Sequence, residues 1–434
     1  MKIEKKENYK ILTFILIILS IVSFFLGFHF DENSAGAGGH NGDFVAIWRN
    51  QQIFLSYDLI SAISHPDYFD SRAPTAYILH KFLNPFVVNE ISYRRTVFII
   101  SLALPILFYF TLKQRFQTKD NLLLVLISSI IFLSPYYRTS SYWGLEENYG
   151  LITLLITFLL LENFKRKEKK YGHKLYINLS LIVFFSSLCL YFDQKLAIIP
   201  LICFFQIFLS AILLKYKIFL TFLYFIASLP YIYMISLWGH LVPTASAEAM
   251  GLGEDFFIEH IGYLSTIIAF YFLPLLFFKE KKFYELVKDF FKNKKNYYFI
   301  LFFLIYLIYL FSFFEINNQP ILGKGLIHKF VVLFFNNNFL GQIFTYFAFF
   351  VSWIIILIYV DKNIKDILIL IYFFFLSIIK FPVLQEYFDP LIILMVFTFF
   401  NSKVFINYKN SLILYFYLSI FLVCCNVYYF NLLK

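Results

Sequence analysis

The feature that most constrains this chain is its succession of long, uncharged apolar blocks. The first runs from Ile11 to Phe28 without a charge, and similar blocks recur towards the C-terminus. None shows the alternation of a half-buried strand or the one-sided stripe of a soluble helix, so each reads as a helix apolar all round. Blocks of this length fit membrane-spanning helices. Composition agrees, since 60% of residues are hydrophobic and only 15% charged, against about 25% charged in an ordinary soluble domain. The expected fold class is an all-α integral membrane protein.

Apolar blocks at 11–28, 97–112, 122–137, 149–164, 175–192, 196–214, 218–238, 261–278, 297–314, 340–360, 367–379, 390–402 and 411–430 predict about 13 transmembrane helices (11–13). The blocks at 367–379 and 390–402 fall furthest short of the ~20 residues a span needs. Alternating the loops from a cytoplasmic N-terminus places 26 of the 37 Lys and Arg inside and 11 outside, with 10 Asp and Glu inside and 17 outside. This is the positive-inside pattern. The net charge of +10 therefore belongs to orientation, and no nucleic-acid partner is expected. The four cysteines lie inside apolar blocks and build no disulfide framework. The first block is longer than a signal-peptide core and reads as an uncleaved anchor.

Residues 1–238 hold the first seven expected spans and a long first extracytoplasmic loop, 29–95. Mildly amphipathic segments at 51–64 and 75–88 are read there as interfacial helices. Residues 239–434 form a second, C-terminal transmembrane part.

Polar residues gather in the outer loops. Asp31 and Glu32 sit at the outer end of the first span, where partial desolvation can raise a carboxylate towards the range of a useful base. Gly36, Gly38, Gly39 and Gly42 follow them, and their amides could cradle a phosphate. The alternative is a pair of solvated acids marking the membrane boundary. The segment Ser134–Tyr149 reads as a short loop holding Arg138, Glu146 and Glu147; the bland reading is a local ion pair worth little. Asp193 and Lys195 occupy a turn so tight that both lie near hydrocarbon, where charges are costly and mark sites by default. Mutual neutralisation explains them equally well. His29-x-Asp31 and His40-x-x-Asp43 could ligate a divalent cation, yet no spacing matches a strong metal motif. The metal question stays open and no other cofactor is expected.

A basic N-terminus, one span, then an Asp-Glu pair opening a long outer loop with interfacial helices resembles the GT-C superfamily of polytopic membrane glycosyltransferases. His65-Pro66-Asp67-Tyr68-Phe69-Asp70-Ser71-Arg72-Ala73-Pro74-Thr75-Ala76-Tyr77 is similar to a stretch of the dolichol-pathway alpha-1,2-glucosyltransferases, and Glu386-Tyr387-Phe388-Asp389-Pro390 to a late segment of the same enzymes, without its arginine. The resemblance covers the chain to about residue 238. It implies transfer of a sugar, with inversion, from a polyprenyl-phosphate donor to a lipid, glycan or protein acceptor at the extracytoplasmic face. The compact chain, with no usable glycosylation sequon in its outer loops, points separately to a bacterial plasma membrane. Asp31 would be the general base, and Glu32 would orient the acceptor. Arg138, Lys195 and Arg72 would hold the donor phosphate. Asp43, Glu146, Glu147 and His40 would line the acceptor or cation site.

Two other classes remain. A transporter or lipid-linked glycan flippase would place charges mid-membrane on broken, repeated helices; Pro105, Pro200, Pro230 and Pro274 interrupt blocks, but no repeat is visible. Another membrane transferase, such as an acyltransferase or glycan polymerase-ligase, is the second.

Overall fold

Capping residues, prolines and charged turns cut the apolar sequence into helices, and among the described residues all regular structure is helical. A computed structural model describes the chain except residues 1, 36–39, 71, 168–173, 251–255, 315–322, 336, 361–362, 380–381 and 433–434, and except the side chains of 2–8, 40–41, 167, 174, 248–250, 295 and 431–432. The chain divides into two compact units, Met1–Met250 with Leu418–Lys434, and Gly251–Tyr417.

The first unit contains α1 (Lys2–His29), α2 (Val45–Ser56), α3 (Leu59–Ile63), α4 (Thr75–Leu83), α5 (Glu90–Ser101), α6 (Ala103–Phe116), α7 (Asn121–Ser129), α8 (Pro135–Tyr142), α9 (Glu147–Lys167), α10 (Lys174–Phe192), α11 (Ile198–Phe208), α12 (Leu214–Trp238) and α13 (Thr244–Met250). Helix α9 packs between α6 and α10, α10 also packs on α12, and α1 lies against α7. The second unit contains α14 (His260–Leu275), α15 (Phe283–Lys292), α16 (Lys294–Phe313), α17 (Gly325–Phe334), α18 (Asn338–Val360), α19 (Ile364–Ile379), α20 (Leu391–Phe397) and the first part of α21 (Tyr408–Leu432), whose remainder belongs to the first unit. Helix α14 is its centre, packed on α17, α18 and α19. Gly262 lets α14 approach α18 closely, because the Phe349 ring occupies the place a methyl group would take.

The outward faces of the long helices are apolar. Helix α1 buries Thr13, Leu16, Ile17, Ser20 and Phe24 but exposes Ile11, Phe14, Ile15, Ile18, Leu19, Val22 and Phe25. A water-facing surface of that kind would be strongly unfavourable, whereas lipid accepts it. Among the described residues eight helices are long and apolar enough to cross a membrane: Tyr9–His29, Glu90–Phe116, Leu175–Phe192, Leu214–Trp238, His260–Phe278, Asn296–Phe313, Asn338–Val360 and Tyr408–Phe430. The pair Asn121–Leu133 and Pro135–Tyr142, bent by 68°, makes a ninth if taken as one broken span. This is the helix set of a multi-pass membrane protein.

The expected count of about 13 is not confirmed. Block 390–402 yields only the seven-residue α20, buried along its whole length; at 1.5 Å per residue it reaches only about 10 Å. Block 196–214 becomes a 3₁₀ turn, Gln194–Ala197, followed by the eleven-residue α11. Block 122–137 stops at Leu133, because the Ser134 hydroxyl accepts from the Tyr137 N–H and Pro135 opens a new helix. Helices do form within the first loop, as α2, α3 and α4.

Candidate functional site

The segment read as a loop, 134–149, carries a buried helix instead. All eight residues of α8 are buried although most are polar, so each polar side chain needs a partner within the protein. Residues four apart share a face, and α8 uses this to serve separate walls. Arg138 and Tyr142 turn towards α1, where the Tyr142 hydroxyl donates to the Phe24 carbonyl at 2.7 Å. Tyr136 and Ser140 turn towards Glu147 in the first turn of α9.

On the α1 side, Arg138 is 2% exposed and all five of its N–H donors are used. Nε donates to Glu32 Oε1 at 2.9 Å, Nη1 to the Phe132 carbonyl at 3.0 Å and to Ser23 Oγ at 3.3 Å, and Nη2 to the Ser23 carbonyl at 2.9 Å and to Glu32 Oε2. Glu32 also accepts from Asn426 Nδ2 at 3.1 Å. Gly27 lies directly beneath, and a methyl group there would strike Glu32, Arg138 and Tyr142.

Asp31 goes elsewhere. It takes a left-handed backbone, φ 52°, a conformation that a short polar residue tolerates after a helix. The carboxyls of Asp31 and Glu32 therefore part company. Asp31 pairs with Arg94 at 2.6 Å and its side chain is 60% exposed. Arg94 is itself held by the Tyr142 carbonyl at 2.7 Å and lies 3.9 Å over the Trp143 ring.

A third cluster forms around Arg72. Asn50, buried on α2, clamps the preceding loop by donating to the Phe69 carbonyl at 2.7 Å and accepting from the Phe69 N–H at 3.3 Å. This sets Asp70, which accepts from the Tyr77 hydroxyl at 2.5 Å and from the Arg72 N–H at 3.0 Å. The Arg72 guanidinium donates to Glu147, which also accepts from the Tyr136 hydroxyl, and its Nη1 stands 3.8 Å from Asp70. No other hydrogen bond of the guanidinium is present among the described residues, so donors remain for a ligand.

Glu146, one residue before α9, is fully buried. Neither of its oxygens closes a hydrogen bond of ordinary geometry, although Asp70 and Tyr77 are near enough to act on it. Burial first, and then the Asp70 charge, hold its carboxyl well above the usual range, with Arg72 pulling the other way. That direction favours the proton-carrying form of Glu146 over the ionised one. Asp43, an exposed residue of the π turn before α2, is near enough to feel the charges of Glu147, Arg72 and Asp70. Its carboxyl is also raised, by crowding of the surrounding protein first, then by Glu147 and, less, by Asp70, while Arg72 opposes. Nearby His80 is structural: burial pushes it down to about 4, and the neutral ring is bonded to Tyr149 at 2.8 Å and Asn84 at 2.9 Å.

Glu146 makes stability depend on pH. Its folded-state pKa lies above the unfolded value near 4.5. Its contribution is thus complete below that value and is lost as pH rises through the raised one. Melting of the purified protein should fall as the solution is made alkaline, by about 2–4 °C per kcal/mol lost. Glu146→Gln should remove that part of the slope while melting close to wild type at pH 5. An unchanged slope in the variant would show that Glu146 is ionised already.

Of the residues singled out from sequence, Arg72, Glu146, Glu147 and Asp43 come together. Asp31, Glu32, Arg138 and Lys195 do not join them: each has its own ion pair, that of Lys195 being with Asp193 at 2.8 Å. Arg138 and Lys195, expected with Arg72 at the donor phosphate, thus lie in separate ion pairs, and every N–H donor of Arg138 is engaged within the protein. The side chain of His40 and residues 36–39, which hold three of the four glycines of the expected phosphate cradle, lie outside the described residues. Among the described residues no group of three or more His, Cys, Asp or Glu side chains is arranged to hold a metal ion. Asp70, Tyr77, Tyr136 and Asn50 were not expected. Asp70 and Tyr77 lie in the stretch that carried the resemblance; Tyr136 and Asn50 give no signal in the sequence. Comparison with known proteins gives no match: no family model, no curated protein and no solved structure is detectably similar to this chain.

Proposed function

We propose that this protein is a membrane glycosyltransferase that moves a sugar from a polyprenyl-phosphate donor to a lipid, glycan or protein acceptor at the extracytoplasmic face of a bacterial plasma membrane. The observation that carries the reading is the cluster at the start of α9. It pairs one cation with unspent donors, Arg72, with an exposed carboxylate of raised pKa, Asp43. Such a transfer needs a base for the acceptor hydroxyl and a cation for the departing phosphate, and little acid catalysis, because phosphate is already a stable leaving group. Asp43 takes the role of base in place of Asp31, whose carboxylate is committed to Arg94. Arg72 receives the phosphate, in competition with Glu147. Direct attack by the acceptor inverts the anomeric centre.

A second reading draws on Glu146. A buried carboxyl of raised pKa among other carboxyls is also what a proton-coupled transporter uses. Capture of the carrier lipid separates the two. Purified protein incubated with undecaprenyl phosphate should retain one lipid in native mass spectrometry. Arg72→Gln should weaken retention about tenfold or more, the loss of a charge-assisted hydrogen bond, and Lys195→Gln should not. Failure of the wild-type protein to retain the lipid would refute the reading.

A further inference from the structure

The second unit contains a cavity that the proposed chemistry does not use. Its volume is about 580 Å³, and its lining includes Lys279, Lys281, Lys403, Asn293, Asn296 and Asn401. We infer that this cavity binds the phosphate headgroup of an anionic membrane phospholipid.

Three observations support the inference. First, the cavity lies at span ends. Lys279 directly follows the span His260–Phe278, Asn296 opens the span Asn296–Phe313, and Val360 closes the span Asn338–Val360. The lining therefore sits where headgroups would lie, and a basic pocket between transmembrane helices at that level suits an anionic headgroup. Second, the charge is net positive: the lining carries Lys279, Lys281 and Lys403 against Glu280 and Asp289, and its surroundings are more basic still. The segments 279–296, 363–366 and 401–409 hold ten lysines against four acids. Of those acids, Asp366 is fully buried and already satisfied by the Asn401 N–H at 2.7 Å, the Ser402 N–H at 2.9 Å and the Ser402 hydroxyl at 2.6 Å. These bonds fix the wall that presents Asn401 and Lys403. Asp289 is paired with Lys281 at 2.6 Å, and the Lys279 ammonium is aimed over the Tyr359 ring at 4.1 Å. Third, helix α15 crosses the cavity edge with Phe283, Tyr284 and Phe291 exposed among its lysines. Apolar rings beside cations are what a helix lying in the interface displays.

Free phosphate shares the headgroup's chemistry, but the interfacial rings and span ends favour the lipid. The cavity is independent of the reading given to the first unit. The test uses the whole protein in detergent with phosphatidylglycerol or phosphatidylcholine, reading retained lipid by native mass spectrometry. The wild-type protein should retain phosphatidylglycerol at least tenfold better than phosphatidylcholine, and 10 mM inorganic phosphate, roughly the scale of a weak free-anion contact, should not displace it. Lys279→Gln with Lys403→Gln should abolish the preference. Lys403→Gln alone, exposed and uninvolved in the ring contact, should reduce it about threefold, so a folding defect at Lys279 cannot decide the outcome. A control pair outside the lining, Lys288→Gln with Lys294→Gln, should leave it intact. Equal retention of both lipids, displacement by inorganic phosphate, or an equal loss in the control pair would each overturn the inference.

Discussion

Arg138→Met is expected to cost the first unit about 3–5 kcal/mol, the usual penalty for breaking a buried ion pair from one side. The side chain is 2% exposed and ties α8 to α1 through both the Ser23 backbone and the Glu32 carboxylate. Removing it strands Glu32 and leaves the Phe132 and Ser23 carbonyls without these donors. At roughly 2–4 °C per kcal/mol, melting in detergent should fall by about 6–20 °C. Pairing the change with Glu32→Gln should return part of the loss, because the stranded charge is then gone. A melting point equal to wild type would mean that α8 is held by its other contacts and that Arg138 is free for a ligand after all.

Asp43→Asn is expected to lower transfer by about 10²–10⁴-fold, the range a positioned general base supplies, without changing melting by more than about 0.5 kcal/mol, as suits an exposed position. The same assignment gives a pH signature. Activity should rise with pH as Asp43 loses its proton, through a midpoint above the ordinary aspartate value of 3.8. Glu147→Gln removes a charge that raises Asp43, so it should move that midpoint to lower pH. A midpoint that stays in place would separate Asp43 from the rate-limiting proton transfer.

How much of this was legible depends on what each residue faces. Helices that face lipid are visible, since nothing but apolar residues suits that environment. The blocks at 11–28, 175–192, 218–238, 261–278, 340–360 and 411–430 accordingly coincide with long helices. Helix α8 is hidden because protein, not lipid, buries it, and its polar composition mimics a loop. Ser134-Pro135 was the available sign of a helix start. At 390–402, by contrast, the apolar residues form only the short, buried α20. In the site, Asp31 and Glu32 are neighbours in sequence, which suggested joint action, but one positive φ sends them to different arginines. The partnership of Arg72 with Glu147, 75 residues apart, depends on the Asn50 clamp, which has no local signature, and on α8, whose start is signalled locally but whose burial is not.

On the proposed function, chemistry gathers at Arg72 and Asp43, while Asp31 and Glu32 serve the fold. The test uses proteoliposomes carrying a bacterial membrane extract as the source of acceptors, supplied with undecaprenyl-phosphate glucose, mannose and galactose, each labelled in the sugar, and reads label passing from donor to extract. The wild-type protein should transfer label from at least one donor, Asp43→Asn should lose the transfer, and Asp31→Asn should keep it within about tenfold, because only an exposed ion pair is lost. Full transfer by Asp43→Asn together with loss in Asp31→Asn, or no transfer by the wild-type protein, would contradict this assignment.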